Sequence, residues 1–313
     1  MRTTSHYFKT FPQFSRLRLS DKDAYEDLIK NYPPISSFSF PTLMTWWNSL
    51  GACRVSQLNG NLVISHWFPG DEEVSGLSIV GTKQIDNTIC TIFDHLANKK
   101  EAQKLVHVPE FVVHSMKYPD MFSISCNRAY DECILSIEHL YKLTSLSPYL
   151  RSKVYRFKIE NEQKDIRVKK LDLSIVPNRQ VLLNTINEWP STQFNRKVKR
   201  IKEYFIDTVN NAAEFYMDSL CLLVNGKIHG FILYQLPSDK DFVIINFARF
   251  SYEMNGLFEF ACHKFAEYFY SQQVKFANIE ADFNDNFLRT TKLSLGPYNF
   301  FRKYTIKPKS SKT

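Results

Sequence analysis

The order of apolar and polar positions predicts a regular series of strands in the second half of the chain. Apolar Leu220–Val224 leads into Asn225-Gly226, a dipeptide typical of a two-residue hairpin turn, and Lys227–Gln235 continues as the returning strand. A turn at Pro237–Lys240 separates this hairpin from a third predicted strand, Phe242–Arg249. Three consecutive antiparallel strands are therefore expected here.

A helix and a fourth strand are predicted to follow. The helix runs from about Leu257 to Gln272, and its apolar stripe recurs every four residues, at Leu257, Ala261, Phe265 and Phe269. Val274–Ile279 is apolar enough for a buried strand.

The first half of the chain repeats this order. Its predicted elements are the strand Cys53–Leu58, the turn Asn59-Gly60, the strand Asn61–His66, a turn at Pro69-Gly70, the strand Leu77–Val80, a helix near Ile85–Ala97 and a strand near Leu105–His107. The repeat predicts an α+β protein with two domains, each a mixed, mostly antiparallel sheet flanked by helices in three layers. A chance coincidence of common hairpin signals is the alternative.

A length of 313 residues is sufficient for two such cores. We place an N-terminal domain at residues 1–150, a C-terminal domain at residues 151–306 and a polar, disordered tail at residues 307–313. The boundary is expected near Tyr149–Asn161, where the basic run YLRSKVYRFKIEN joins the halves.

Net charge and cysteine usage limit the classes of function. A net charge of +8 favours an anionic partner, such as nucleic acid, a phosphorylated cofactor or an acidic lipid headgroup, although a basic protein without such a partner is the alternative. The six cysteines form no Cys-x-x-Cys pair, so neither a disulfide framework nor a metal site is expected. The N-terminal sequence lacks a signal peptide's apolar core, and no segment is apolar over the ~18 residues of a membrane span. We expect a cytoplasmic protein without membrane helices; its oligomeric state stays open.

Three polar residues at the end of the last predicted strand form the best candidate site. If strand alternation continues through Phe283, Asn278, Glu280 and Asp282 fall on one face. Glu280 could remove a proton from a bound substrate, and Asn278 and Asp282 could position that substrate. Alternatively, Glu280 or Asp282 accepts hydrogen bonds from the following turn or pairs with Arg289.

Two cations lie on the helical turn that follows. Arg289 and Lys292 are three residues apart and can therefore face the same direction, where they could bind a phosphate or carboxylate of a bound substrate, donor or acceptor alike. A salt bridge to Glu280 or Asp282 is the competing interpretation.

The start of the predicted helix at Leu257 is a second candidate site. Free N–H groups at a helix N-terminus can bind a phosphate group, and Asn255 and Gly256 lie at this position. A single glycine and the nearby Glu253 make the signal weak, and Asn255 could instead be the N-cap.

The segment Phe242–Ile306 resembles the closing half of the phosphatidylglycerol lysyltransferase C-terminal domain family, a tandem branch of the GNAT acyltransferase superfamily. The matching motifs are Glu253-x-x-Gly256-Leu257, Asn278-x-Glu280-x-Asp282, Leu288-Arg289-x-x-Lys292, Pro297 and Lys303-Tyr304, while Trp46 matches an N-terminal tryptophan of the family. The resemblance implies two tandem GNAT-like domains that cover most of the chain, with Gly256 and Leu257 at the donor site.

The resemblance also implies an activity. The family's activity would be transfer of an acyl group from aminoacyl-tRNA or acyl-CoA to an amine or hydroxyl acceptor. The chain departs from the family pattern at two points: Lys153–Arg156 stands in place of a Lys-Arg-Asn run, and Asn284 replaces a glycine, although asparagine also tolerates a left-handed turn.

Basic segments suggest contact with nucleic acid. The run at 151–158 and the run at 195–202 could contact the phosphates of a tRNA donor, or could be solvated helix faces. A non-catalytic scaffold or an RNA-binding protein is therefore the alternative to a transferase.

Overall fold

A computed structural model describes residues 7–47, 53–66, 75–188, 196–251 and 253–309, with only the backbone described for 196–201. The predicted Pro69-Gly70 turn lies outside these residues.

Seven of the described strands form a first sheet, in the order β1-β2-β3-β4-β5-β14-β6. They are β1 Ser15–Arg16, β2 Arg54–Leu58, β3 Asn61–His66, β4 Gly76–Val80, β5 Leu105–Pro109, β6 Phe122–Cys126 and β14 Lys303–Pro308. Neighbours pair antiparallel except β4 and β5, which pair in parallel at Leu77 and Leu105. A strand from the end of the chain thus lies between two strands from its first half.

Helices pack beside this sheet and complete the first core. They are α1 Lys22–Ile29, α2 Phe40–Thr42, which continues into a π-helical turn at Leu43–Trp47, α3 Ile85–Asn98 and α4 Glu110–His114, with 3-10 turns at Leu19–Asp21, Pro119–Met121 and Arg128–Tyr130. The core contains Val63, Ile79, Ile89, Leu105 and Ile306, all buried. The buried Ile306 shows that β14 is part of this core.

Seven further described strands form a second sheet, in the order β13-β7-β12-β11-β10-β9-β8. They are β7 Glu132–Ser136, β8 Ile166–Asp172, β9 Met217–Val224, β10 Lys227–Gln235, β11 Phe242–Phe250, β12 Phe276–Asn278 and β13 Asn299–Phe301. β11 and β12 pair in parallel, whereas the pairs β8–β9, β9–β10, β10–β11 and β12–β7 are antiparallel.

The helices of the second unit are α5 Ile137–Tyr141, α6 Pro148–Glu160, α7 Val176–Glu188, α8 Arg196–Asn210, α9 Ala212–Phe215, α10 Leu257–Ser271 and α11 Asn286–Ser294, with a 3-10 turn at Leu143–Ser145. Another 3-10 turn, Ser36–Phe38, begins in this unit and ends at the first residue of the next segment of the first unit. The apolar stripe predicted for α10 is buried, with Leu257, Ala261, Phe265 and Phe269 in a core shared with α6. Phe157 of α6 lies 4.7 Å, centroid to centroid, from Phe260 of α10.

The two hairpin turns are as predicted. Asn59 and Asn225 have φ values of 52° and 49°, and the glycines that follow have 77° and 79°. Two successive residues with positive φ are the signature of a type I′ turn, which suits the twist of the flanking strands. Each turn is followed by the same series: returning strand, antiparallel strand, helix, parallel strand.

The chain divides into two compact units, and each unit is formed by segments that are separated in the sequence. The first comprises the chain up to Pro33, Phe38–Asp131 and the chain from Phe301; the second comprises Pro34–Ser37 and Glu132–Phe300. The region near Tyr149–Asn161, where we expected the boundary, is helix α6 inside the second unit. Of the tail predicted at 307–313, Lys307 and Pro308 end β14, and 310–313 lie outside the described residues.

The predicted α+β class is confirmed: the described strands form two mixed, mostly antiparallel sheets, and helices flank both.

Candidate functional site

The predicted strand alternation stops at Asn278, so this part of the prediction was wrong. β12 ends at Asn278, and Glu280, Phe283 and Asn284 have φ values of 63°, 50° and 61°. Left-handed residues break the two-residue period of a strand, and a turn therefore positions Glu280 and Asp282. Asn284 adopts the left-handed conformation that asparagine tolerates better than most residues other than glycine.

Asn278 is fully buried and joins three parts of the second unit. Its Nδ2 donates to Glu132 Oε2 at 2.6 Å and to the carbonyl of Pro34 at 3.1 Å. Its Oδ1 accepts from the backbone N–H of Glu280 at 2.9 Å. Both ends of the amide are thus used, and the acceptor end holds the left-handed Glu280.

The Glu280 carboxylate lies at the end of a chain of amides that crosses the sheet. Gln235 Nε2 donates to Asn246 Oδ1 at 2.8 Å, and Asn246 Nδ2 lies 3.4 Å from Glu280 Oε1. The hydroxyl of Ser36 donates to the same oxygen at 2.8 Å. Donors that face a carboxylate favour its ionised form, which is the form that accepts a proton.

Glu132 is a central residue that our sequence reasoning missed. Its side chain accepts from the backbone N–H of Ser36 at 2.7 Å, from that of Ser37 at 2.9 Å and from the Ser37 hydroxyl at 2.7 Å, besides Asn278. The signal was present, because Glu132 begins the apolar run ECILS, and a carboxylate in a buried strand is unusual.

Asp282 and Arg289 form an ion pair that fixes the turn. Arg289 Nη2 and Nε donate to the two carboxylate oxygens of Asp282 at 2.8 and 3.1 Å, and Nη2 also reaches Asn284 Oδ1 at 3.1 Å. Asp282 is 1% exposed, and the Arg289 side chain is 31% exposed. The salt bridge that we considered as the competing interpretation is therefore present.

Lys292 also holds the backbone of this turn. Its Nζ donates to the carbonyls of Glu280 and Ala281 at 3.0 and 2.7 Å. Burial lowers the pKa of Lys292, although the nearby Glu280 and Asp282 carboxylates oppose that shift. Both predicted cations thus meet the polar turn, through side-chain and backbone oxygens.

The candidate residues at the start of α10 lie against α6. The N-cap is Gly256, with φ of 79°, and not Asn255, whose Oδ1 accepts from Lys153 Nζ at 3.0 Å. A Cβ atom on Gly256 would lie 2.8 Å from the Lys153 carbonyl oxygen, and Leu257 is buried. Within the described part of the chain, no hydrogen bond joins these three residues to the turn at Glu280.

The basic segments differ in what the structure describes. On α6, Arg151 donates to the carbonyls of Thr144 and Leu146, and Lys153 lies 5.6 Å from the ring centroid of Tyr149. In the run at 195–202, residue 195 and the side chains of 196–201 lie outside the described residues. Over the described ranges, no helix is long and apolar enough to cross a membrane.

Comparisons with known proteins agree with this architecture. A search of curated proteins found no match to the sequence. A conserved protein of unknown function from Bacteroides thetaiotaomicron is 19% identical with a TM-score of 0.80, over 95% of this chain and 99% of that one. The C-terminal domain of a putative lysylphosphatidylglycerol synthetase from Agrobacterium fabrum is 11% identical with a TM-score of 0.63, over 92% and 91%. L-PGS from Bacillus licheniformis is 14% identical with a TM-score of 0.57, over 93% of each chain.

These structures share the fold across nearly their whole length. The sequence itself matches the family model described as phosphatidylglycerol lysyltransferase, C-terminal, over residues 33–307, which include Ser36, Glu132 and the whole turn from Asn278 to Lys292. The family expected from the motifs is thereby confirmed. The chain belongs to the phosphatidylglycerol lysyltransferase C-terminal domain family.

Proposed function

We propose that the chain is an acyltransferase whose reaction takes place at Glu280. The observation that carries this proposal is the buried polar chain across the second sheet, in which Gln235, Asn246, Ser36 and Asn278 all lead to Glu280. Buried polar groups cost free energy that apolar side chains would not, so a satisfied network at a turn with left-handed residues supports a site and not a core.

Glu280 acts as the general base of the transfer. The acceptor's N–H or O–H gives its proton to the Glu280 carboxylate while the acceptor atom attacks the acyl carbonyl carbon. The ester or thioester bond to the donor then breaks, and the leaving oxygen or sulfur takes the proton from Glu280. Asn278 holds the base, Asp282 holds Arg289, and the partly exposed Arg289 guanidinium binds negative charge on the donor. Lys292 fixes the turn through its two carbonyl contacts.

Between the two donors, the geometry favours aminoacyl-tRNA over acyl-CoA. The α10 N-terminus would bind the pyrophosphate of a CoA donor, but the α6 backbone approaches Gly256 there too closely for even a Cβ atom. The outer face of α6 carries exposed Tyr149 and Tyr155 together with exposed Arg156 and Lys158. Aromatic and basic side chains on one surface suit a single-stranded RNA end. Because charged tRNA is made in the cytoplasm, we place the protein there.

Transfer of label from donor to acceptor tests this function. Aminoacyl-tRNAs and acyl-CoAs labelled in the acyl group are incubated with the protein and an extract of small molecules and lipids, and label in new products is counted. Loss of a general base slows a reaction by about 10²- to 10⁴-fold, so Glu280→Gln should reduce transfer by that factor. Ser219→Ala is the matched control, because Ser219 is buried in β9 of the same sheet and its hydroxyl contacts Cys221.

Two results would contradict the proposal. One is full activity in Glu280→Gln. The other is no labelled product together with no rise in melting temperature for any donor, since a bound donor stabilises the fold by mass action. The second result would favour a non-catalytic scaffold.

A further inference from the structure

Glu132 is a buried carboxylate, and two of its hydrogen-bond partners, Ser36 and Asn278, also contact the candidate base. It begins β7, is 0% exposed, and precedes the buried apolar residues Cys133, Ile134 and Leu135. Burying a carboxylate is costly, and an apolar residue of similar volume at such a position is often at least as stable. Core packing therefore does not account for a carboxylate here.

Two of the hydrogen bonds that Glu132 accepts converge on one atom. Oε2 of Glu132 accepts from the backbone N–H of Ser36 at 2.7 Å and from Asn278 Nδ2 at 2.6 Å. Each of these residues has a second contact with Glu280: the Ser36 hydroxyl donates to Oε1 at 2.8 Å, and Asn278 Oδ1 accepts from the backbone N–H at 2.9 Å. Glu132 is thus linked to the side chain of Glu280 by one route and to its backbone by the other.

The charge of Glu132 determines how the Asn278 amide is oriented and where the loop that carries Ser36 is held. An ionised carboxylate only accepts hydrogen bonds, so it turns the NH₂ end of Asn278 toward itself and leaves the oxygen end for Glu280. The other oxygen, Oε1, accepts from the backbone N–H and the hydroxyl of Ser37, and so anchors the loop that carries Ser36. A glutamine at this position would place an NH₂ group against these donors.

We propose that Glu132 is a positioning residue that sets the orientation of the Glu280 carboxylate through Ser36 and Asn278. This inference rests on the proposed function, because Glu280 matters as the base of a transfer. Glu132 is fully buried and acts on Glu280 only through these two residues. Its role is to keep the Ser36 hydroxyl on Glu280 Oε1, where the hydrogen bond stabilises the ionised base.

The test measures the pH at which Glu280 titrates, by carbon-13 NMR of its side-chain carboxyl in the protein without substrate. Glu132→Asp keeps the negative charge but is one methylene shorter, so it cannot reach both Ser36 and Asn278. Ser36→Ala removes the hydroxyl itself. Each variant should move the titration midpoint of Glu280 upward, by roughly one pH unit or tenfold in proton affinity, because the ionised form loses a donor.

The double variant decides whether Glu132 acts through Ser36. Glu132→Asp combined with Ser36→Ala should move the midpoint little further than Ser36→Ala alone, since changes within one network are not additive. Ser219→Ala is the control and should leave the midpoint unchanged. If Glu132→Asp does not fold, Ser37→Ala is used in its place. This variant removes one hydrogen-bond donor from Glu132, so a smaller upward shift of the Glu280 midpoint is expected.

The proposal is overturned if the Glu280 midpoint stays unchanged in Glu132→Asp, or in Ser37→Ala where that variant is used instead. Full additivity of the two shifts in the double variant would also overturn it. The titration needs no donor, so it separates this inference from the transferase function. Upward, non-additive shifts without label transfer would leave the positioning role standing and remove the proposed reaction.

Discussion

His66 is a buried imidazole at the end of β3 in an environment of aromatic rings. It is 3% exposed, and its ring centroid lies 4.3 Å from that of Trp47 and 6.1 Å from that of His107. Neither ring nitrogen has a hydrogen-bond partner among the described residues. Burial, with a smaller contribution from Lys303, lowers the pKa of His66 to about 3.

The pKa of His66 predicts a loss of stability in mild acid. An unfolded histidine binds a proton near pH 6.5, whereas the folded one does so only near 3. The unfolded state therefore gains protons first, and His66 removes about 1.4 kcal/mol of stability per pH unit between roughly 6.5 and 3. Urea unfolding at pH 7.5 and 5 should show a drop about 2 kcal/mol larger in the wild type than in His66→Leu.

The exposed His114 provides the control for this experiment. His114→Leu should keep the wild-type drop between the two pH values, because its imidazole is exposed. Equal drops in the wild type and His66→Leu would show that the His66 ring is not kept neutral by the fold.

At the residue scale, the sequence reveals a polar group where it interrupts an apolar pattern. Asn278 and Glu280 were found because they follow an apolar strand, and the Arg289–Asp282 pair was among the alternatives. Ser36 was missed because its partner Glu280 lies 244 residues away in sequence, and no local pattern encodes such a distance. Glu132 carries a local signal, a carboxylate at the start of an apolar run, but that signal does not identify its partner Asn278, 146 residues away. The left-handed φ of Glu280 was also unpredictable. It depends on the hydrogen bond from the Glu280 N–H to Asn278 Oδ1, which only the structure shows.

At the scale of elements, α11 is unusual in its attachment to the second unit. None of its residues, all of which the structure describes, is fully buried, although Lys292 is partly so. Polar contacts of Arg289 and Lys292 with the turn at 280–284 hold it instead, and Asp285 caps its N-terminus by accepting from the N–H of Leu288 at 3.0 Å. Exposed Phe287, Leu288 and Leu293 lie on its surface.

Replacing Lys292 should loosen the turn that carries Glu280. In Lys292→Met the Ala281 carbonyl loses its 2.7 Å donor, whereas the Glu280 carbonyl retains the N–H of Cys133. A lost buried hydrogen bond costs about 1–3 kcal/mol, and hydrogen exchange of the backbone at 279–285 should accelerate accordingly. The control is Lys275→Met, an exposed lysine paired with Asp241, which should change stability by less than about 0.5 kcal/mol. Identical exchange in both variants would contradict a clamping role for Lys292.

The close approach of α6 to α10 predicts a large effect for a small side chain. Gly256 and Gly226 both have φ of 79°, but a Cβ on Gly256 would meet the Lys153 carbonyl at 2.8 Å, whereas one on Gly226 would meet nothing within 4 Å. Both alanine variants should lose about 1–2 kcal/mol from the left-handed backbone. Gly256→Ala should lose about 1–3 kcal/mol more through overpacking. If Gly256→Ala and Gly226→Ala lose the same free energy of unfolding in urea, α6 and α10 can move apart at no energetic cost.

At the scale of the whole molecule, each sheet contains a strand from the other half of the sequence: β14 lies in the first sheet and β7 in the second. The hairpins and the repeated order of elements were predictable, because each depends on neighbours in sequence such as Asn225-Gly226. The positions of β14 in the first sheet and of β7 in the second were not, since pairing across the length of the chain leaves no periodic signal. For this reason the predicted division at residue 150 and the compact units differ.

Removing the last strand should unfold the first unit. Deletion of Lys303–Thr313 takes β14 from between β5 and β6 and removes the fully buried Ile306 from the core. The variant should lose the cooperative unfolding transition of the first unit and bind a hydrophobic dye. Deletion of 310–313 alone is the control and should keep the wild-type melting temperature. A cooperative transition that persists without β14 would show that the first sheet closes on its own.

The place of β14 also has a consequence for protein synthesis. Because β14 separates β5 from β6, a nascent chain cannot finish its first sheet until Pro308 has left the ribosome. Translation at roughly 5–20 residues per second must cover about 180 residues between Cys126 and Lys303, which leaves the edges of β5 and β6 open for roughly 10–40 s. The second unit ends at Phe300 and is complete before then. The unit that begins first is therefore finished last, and during that interval its open edges are the part of the nascent protein that chaperones would protect.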